Sequence, residues 1–292
     1  MSLRLEMLQV ARLAPKQLGD AAERVENFFR GQFLSDGGAR DRDGESDLYY
    51  TVFAAEGLIA LQADLPAGEL TRYLTAFGDG DDLDLVHLTC LARCWAAMPG
   101  ALPVATAAGI AQNLACFRSA DGGYANERDR SQGTVYHAFL ALGAHQDIGV
   151  DCPASESLPS VIRARSTGDH GYANDPDLPS GSTTVTAAAV TMLRQLEQPV
   201  PSAVGDWLLA CAHPEGGFLA APRAPLPDLL STAAALHALA GMKKDFSMVR
   251  EPCLDFIDSL WTGQAFCGHW SDDVQDSEYT YYALLALGHL SL

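Results

Sequence analysis

The sequence predicts an all-α protein in which about six helical hairpins follow one another and close into a ring, one helix of each hairpin inside and one outside. Three observations predict this. A Gly-Gly-aromatic element, a polar loop and an Ala/Leu-rich stretch recur in order, with threonines at 134, 184, 232 and 280 spaced by 50, 48 and 48 residues. The stretches after the loops are nearly free of charge, whereas those before the glycines are amphipathic, as expected of buried and half-exposed helices. No run of β-type alternation interrupts the pattern.

Taken in order, residues 1–19 are expected to form an N-terminal helical extension to a single domain covering 1–292. Ala21 to Phe33 reads as the first outer helix, Asp36-Gly37-Gly38 as its end, and Leu48-Tyr49-Tyr50-Thr51-Val52-Phe53 as the start of the first inner helix. A degenerate second unit lies around Asp82 to Trp95. The third runs from Asp121-Gly122-Gly123-Tyr124 into Thr134-Val135-Tyr136-His137, and the fourth from His170-Gly171-Tyr172 into Ser182 to Val190. The fifth has an outer helix at Val204 to Ala212, then Glu215-Gly216-Gly217-Phe218 and an inner helix over Leu230 to Leu239. The sixth has Cys253 to Trp261, Cys267-Gly268-His269-Trp270 and Tyr279 to Leu287. Glycine ends each outer helix in a left-handed turn, the aromatic packs back beneath the loop, and Ser, Thr or Asp caps the inner helix. An open stack of such pairs needs polar end caps, whereas a ring of six does not.

The composition narrows the function. The chain has 292 residues, 48% hydrophobic, and a net charge of −18. Such acidity opposes binding to nucleic acid or to anionic lipid. The longest stretch without a charged residue, Cys94 to Phe117, contains Pro99, Gly100 and Pro103 and does not read as a membrane span. Arg4, Glu6 and Arg12 interrupt the first segment, which therefore does not read as a secretory signal. Seven scattered cysteines in mostly apolar surroundings suggest a reducing, cytoplasmic setting.

These units resemble the prenyltransferase and squalene-cyclase repeat, and in order they are most similar to the β subunits of protein prenyltransferases of the Rab geranylgeranyl type. The resemblance covers roughly residues 20 to 290. It implies an α/α toroid whose aromatic-lined central cavity holds an isoprenoid or prenyl diphosphate, and a helical protein partner for such a β subunit. In that family zinc is held by an Asp and a Cys two residues apart and a His in the last repeat. Asp228 stands at the Asp position, Leu230 at the Cys position and Tyr279 at the His position, so zinc is not expected; magnesium would enter only with a prenyl diphosphate. Arg223, Arg128 and Arg130 are the cations available to a diphosphate. A different zinc set would join Cys267, His269, Asp272 and Asp228.

A second resemblance points to another chemistry. Asp79-Gly80-Asp81-Asp82 matches the Asp-x-Asp-Asp pattern of class II terpene cyclases and implies Asp79, Asp81 or Asp82 as a proton donor to an alkene. Clustered carboxylates beside an apolar cavity raise one another's pKa. The alternative is an acidic first turn that complements a helix dipole. Tyr49, Tyr50, Tyr136, Tyr279 and Tyr281 cluster near inner-helix starts, where rings can line a cavity and stabilise a chain or carbocation. His87, His137 and His237 read as core residues. Asp272, Asp273, Asp276 and Glu278 form an acidic group that would suit sugar cleavage, but Trp platforms are few. The readings are therefore a prenyltransferase-like isoprenoid binder that is zinc-independent or altered, a small cyclase, or a non-catalytic toroid that binds a protein.

Overall fold

The computed structural model describes residues 1–292. Helix α1 (Leu3–Ala11) and the short α2 (Pro15–Leu18) lead through a single 3-10 turn into α3 (Ala22–Arg30), the first outer helix. A two-residue hairpin, β1 (Ala39–Arg40) with β2 (Ser46–Asp47), then enters α4 (Leu48–Ala60). There follow α5 (Ala67–Thr75), α6 (Leu85–Ala96), α7 (Val104–Ala115), α8 (Val135–Asp147), α9 (Leu158–Arg163), α10 (Thr183–Gln195) and α11 (Ser202–Ala210). A second hairpin, β3 (Phe218–Leu219) with β4 (Pro227–Asp228), precedes α12 (Leu229–Gly241), α13 (Ser247–Ser259) and α14 (Ser277–Leu290).

The even-numbered helices from α4 to α14 form the inner ring. Each packs on the next, and α14 returns onto α4, so the ring is closed. The odd-numbered helices from α3 to α13 lie outside. The buried apolar side chains form one continuous cluster that runs through all units. No helix is long and apolar enough to cross a membrane.

Local chemistry explains the register of the inner helices. Five of the six are capped by a side chain: Asp47, Asp84, Thr134, Asp228 and Asp276 accept from the backbone N–H three residues on. A buried threonine one turn into four of them ties the helix to its preceding loop. The hydroxyls of Thr51, Thr186, Thr232 and Thr280 accept from the backbone N–H of Ala39, Tyr172, Phe218 and Phe266. The repeat register therefore runs through Thr186 rather than Thr184, and Thr134 is a cap. Tyr124, Tyr172 and Phe218 are buried beneath their loops as expected, but in the last unit Phe266 fills that place and Trp270 is 37% exposed. Gly216 is needed where it stands: φ is +100°, and a Cβ would lie 1.9 Å from the Pro252 carbonyl oxygen.

Two devices finish the ring. The tip of the first hairpin reaches the last unit, where Arg42 Nε bonds Asp276 at 2.8 Å and Arg42 Nη2 bonds Asp272 at 2.9 Å. At the opposite end α1 lies across the C-terminal halves of the inner helices. Its Leu3 N–H donates to Gln146, Arg4 pairs with Glu56 at 3.0 Å, and Glu6 accepts from Arg194 at 3.0 Å and Gln195 at 2.9 Å. The ring is thus open at the helix N-termini and floored by α1.

Candidate active site

The inner helices place the same positions toward the ring axis. The second residues are Tyr49, Val86, Tyr136, Thr184, Leu230 and Glu278; all but Glu278 line a central cavity of about 370 Å³. The fifth and sixth positions add Val52 and Phe53, Thr89 and Cys90, Phe139 and Leu140, Ala187 and Ala188, Ala234, and Tyr281 and Tyr282. The ninth positions include Arg93, Gly143, Thr191, His237 and Leu285, with Leu3, Arg4 and Met7 of α1 beneath. This is the 3.6-residue period seen from the inside. The volume falls in the range of small-molecule sites, about 300–1,000 Å³.

The wall is aromatic on α4, α14 and, across the ring, on α8 through Tyr136 and Phe139, and is smallest on α10. Tyr49 meets Phe53 edge-on at 5.0 Å, and Phe53 meets Tyr281 and Tyr282 at 5.8 and 5.4 Å. Alanines and threonines of α10 and α12 face them. At the mouth the Tyr49 hydroxyl donates to Glu278 Oε1 at 2.6 Å. Burial pushes the Glu278 carboxyl up to about 7, against the Tyr49 hydrogen bond that favours its ionised form. Glu278 is therefore a carboxyl that still holds a proton near neutrality. Tyr136 lies across the ring on α8 and is itself pushed up to about 12 by burial.

The rim outside this mouth is polar and self-paired. His87 stands between Asp84 at 2.9 Å and Asp47 at 3.3 Å, and its pKa is raised to about 9, chiefly by the hydrogen bond with Asp47. It is a cation already neutralised. Arg42 is likewise spent on Asp272 and Asp276 and sits 5.5 Å over the Tyr279 ring. Of the loop arginines, Arg130 pairs with Glu127 and Arg128 covers the Phe117 ring at 5.9 Å.

The expected residues divide cleanly. Tyr49, Tyr136 and Tyr281 line the cavity. Tyr50 and Tyr279 do not; Tyr279 lies under Gly268, where a Cβ would come within 2.6 Å of its ring. Asp228 is the α12 cap, bonded to Ser231 N and Oγ at 2.7 Å each, and burial raises its pKa.

The acidic cluster is corrected most. Asp81 and Asp82 are exposed, and Asp79 packs against Gly109 of α7, where a Cβ would lie 2.4 Å from its own Cβ. None lines the cavity. Gly78 and Gly80 take positive φ and turn the segment outward, and the cap of α6 is Asp84. The proton-donor reading of Asp79, Asp81 and Asp82 therefore loses its geometric basis. What the sequence reading missed is Glu278 as a cavity-mouth carboxyl. It stands two residues before the register threonine Thr280, as Tyr49 stands before Thr51 and Thr184 before Thr186.

A family-type zinc does not fit here. At the three matching positions only Asp228 is a ligand, because Leu230 turns into the cavity wall and Tyr279 into its contact with Arg42. No group of three or more His, Cys, Asp or Glu side chains is arranged to hold a metal ion, and Asp272 of the alternative set is engaged by Arg42.

Comparison with known proteins places the architecture. Residues 184–291 match the family model of the prenyltransferase alpha-alpha toroid domain. The fold is thus that of an α/α toroid, and its C-terminal part, residues 184–291, resembles the prenyltransferase toroid domain. Among solved structures, a variant of a type II terpene cyclase from Scytonema, in complex with geranylgeranyl dihydroxybenzoate, is 14% identical with a TM-score of 0.67, over 95% of this chain and 97% of that one. The apo form of that cyclase gives 0.61 at 14% identity, over 94% and 97%. A Candida albicans protein geranylgeranyltransferase-I complexed with GGPP gives 0.50 at 15% identity, over 96% of this chain and 81% of that one. No curated protein matches the sequence.

Proposed function

We propose that this toroid binds an isoprenoid chain in its central cavity and cyclises it by protonation, with Glu278 as the acid. The observation that carries the reading is the Glu278 carboxyl, raised to about 7 and hydrogen-bonded at 2.6 Å to Tyr49, a cavity-lining residue at the N-terminal end of the inner ring, above a cavity floored by α1. Both solved relatives named with a ligand hold a geranylgeranyl group, which supports the isoprenoid.

In this mechanism the Glu278 proton passes to one alkene carbon and leaves a tertiary cation on its neighbour. An internal alkene attacks that cation and closes a carbon–carbon bond. The rings of Phe53, Tyr281 and Tyr282 stabilise the moving charge without reacting. The apolar walls and the α1 floor keep water off the cation until a C–H beside it gives its proton to water at the open mouth and leaves a new alkene. Glu278 then recovers a proton from solvent at the open mouth. Transfer of a prenyl diphosphate to a thiol has less support, because the zinc positions do not fit and Arg42 is already paired.

The test is incubation of the pure protein with prenyl alcohols, prenyl diphosphates and squalene, followed by extraction and mass spectrometry. A product isomeric with its substrate is expected, lost in Glu278→Gln and kept in Asp81→Asn. Diphosphate release that depends on an added acceptor would overturn the cyclase chemistry, and failure of every prenyl compound to bind would overturn the reading as a whole.

A further inference from the structure

The cavity has a second polar pole, at its floor, which protonation at the mouth does not use. Glu56, the ninth residue of α4, has a side chain 1% exposed and is gripped by Arg93 through Nε and Nη2 and by Arg4 through Nε. Those bonds leave Nη1 of Arg93 and both Nη groups of Arg4 without a protein acceptor. Both arginines line the cavity, and so does Asp147, the last residue of α8.

The charges acting on Asp147 are Arg93 from α6, Arg4 from α1 and Glu56 from α4. Burial outweighs both arginines and pushes its carboxyl up to about 7. It has no hydrogen-bond partner in the protein. With the Asp147 proton in place, two guanidinium groups against one carboxylate leave the floor with a single net positive charge. A hydrocarbon end seated there would cover N–H donors and give them nothing in return. A single carboxylate would match them, because its two oxygens fit the guanidinium fork and accept from the Asp147 hydroxyl.

We propose that the floor is a binding site for the terminal carboxylate of an isoprenoid acid, held by Arg93, Arg4 and Asp147. This rests on the reading that an isoprenoid occupies the cavity, and it fixes the direction: carboxylate down, terminal alkene up at Glu278. A diphosphate brings more negative charge than this floor balances.

The experiment is calorimetric titration of the full chain with farnesoic acid, farnesol and farnesyl diphosphate between about pH 6 and pH 9. The acid is expected to bind at least about tenfold tighter than the alcohol, as charged hydrogen bonds imply. Its affinity should fall above about pH 7, by up to about tenfold per pH unit, as Asp147 ionises and repels it. Asp147→Asn, which cannot ionise, should flatten that dependence, and Arg93→Lys, which keeps the charge and loses the fork, should reduce the preference for acid. Equal affinity for acid and alcohol, a flat profile in the parent protein, or tightest binding of the diphosphate would overturn the floor site while leaving an isoprenoid-binding cavity intact. Failure of all three compounds to bind would instead remove the reading on which it stands.

Discussion

Two carboxyls of this molecule are held away from their ordinary state by burial. Glu278 and Asp147 rise from 4.5 and 3.8 to about 7, at opposite ends of one apolar space. Each therefore binds its proton more tightly in the folded chain than in the unfolded one. Their contribution to stability is full below the unfolded pKa values and is lost as pH rises through about 7. The thermal midpoint should accordingly decline between about pH 4 and pH 7. Part of that decline should vanish in Asp147→Asn and part in Glu278→Gln, as read by calorimetric melting across the pH series. A decline of the same size in the double variant would mean that these groups are not what titrates. His237 and His289 stand on the other side of the comparison. They lie 3.0 Å apart, and burial holds them at about 4 and about 3, so both stay neutral over this range.

At the scale of elements, what was legible in the sequence is what is encoded locally. That Ser, Thr or Asp caps the inner helices could be read, as at Thr134, because a capping side chain and the N–H it serves are three residues apart, whereas Asp228, expected at a ligand position, is a cap. The inner helices could be read because charge is missing from whole turns. The acidic cluster fits either a proton donor or a solvated turn in the sequence, and the fold places Asp81 and Asp82 in solvent, with Gly78 and Gly80 at positive φ on either side of Asp79. Helix α1 could be seen as a helix but not as a floor, since its partners Glu56, Gln146 and Arg194 are distant in the chain. The same is true of the Tyr49–Glu278 pair, which joins the first inner helix to the last. The seat of α1 depends on Gly288 of α14, where a Cβ would come within 2.1 Å of the Val10 carbonyl oxygen. Gly288→Ala must push that backbone away, and overpacking of this kind costs about 1–3 kcal/mol. Denaturant melts should show a loss of that size. Backbone amide exchange in α1 should rise more than in α12, because the floor loosens before the ring does.

The whole molecule works because closure and asymmetry coincide. Six inner helices meeting in a ring leave an axial space, and the side chains at the axis decide whether it is filled. Here α4, α8 and α14 project Phe53, Phe139, Tyr281 and Tyr282, while α10 and α12 offer Ala187, Ala188 and Ala234, whose short side chains leave room between the aromatic residues. The clasp of Arg42 on Asp272 and Asp276 draws the aromatic side together, since it joins the unit that carries Phe53 to the unit that carries Tyr282. The room for a ligand is therefore set by the alanines rather than by the ring itself. Ala234→Phe should fill part of the cavity while leaving the cap and the register threonine of α12 in place. The expected result is a melting temperature close to that of the parent and weaker binding of a C20 prenyl alcohol, with a C10 alcohol much less affected. Undiminished binding of both lengths would locate the ligand outside the cavity, whatever chemistry Glu278 performs.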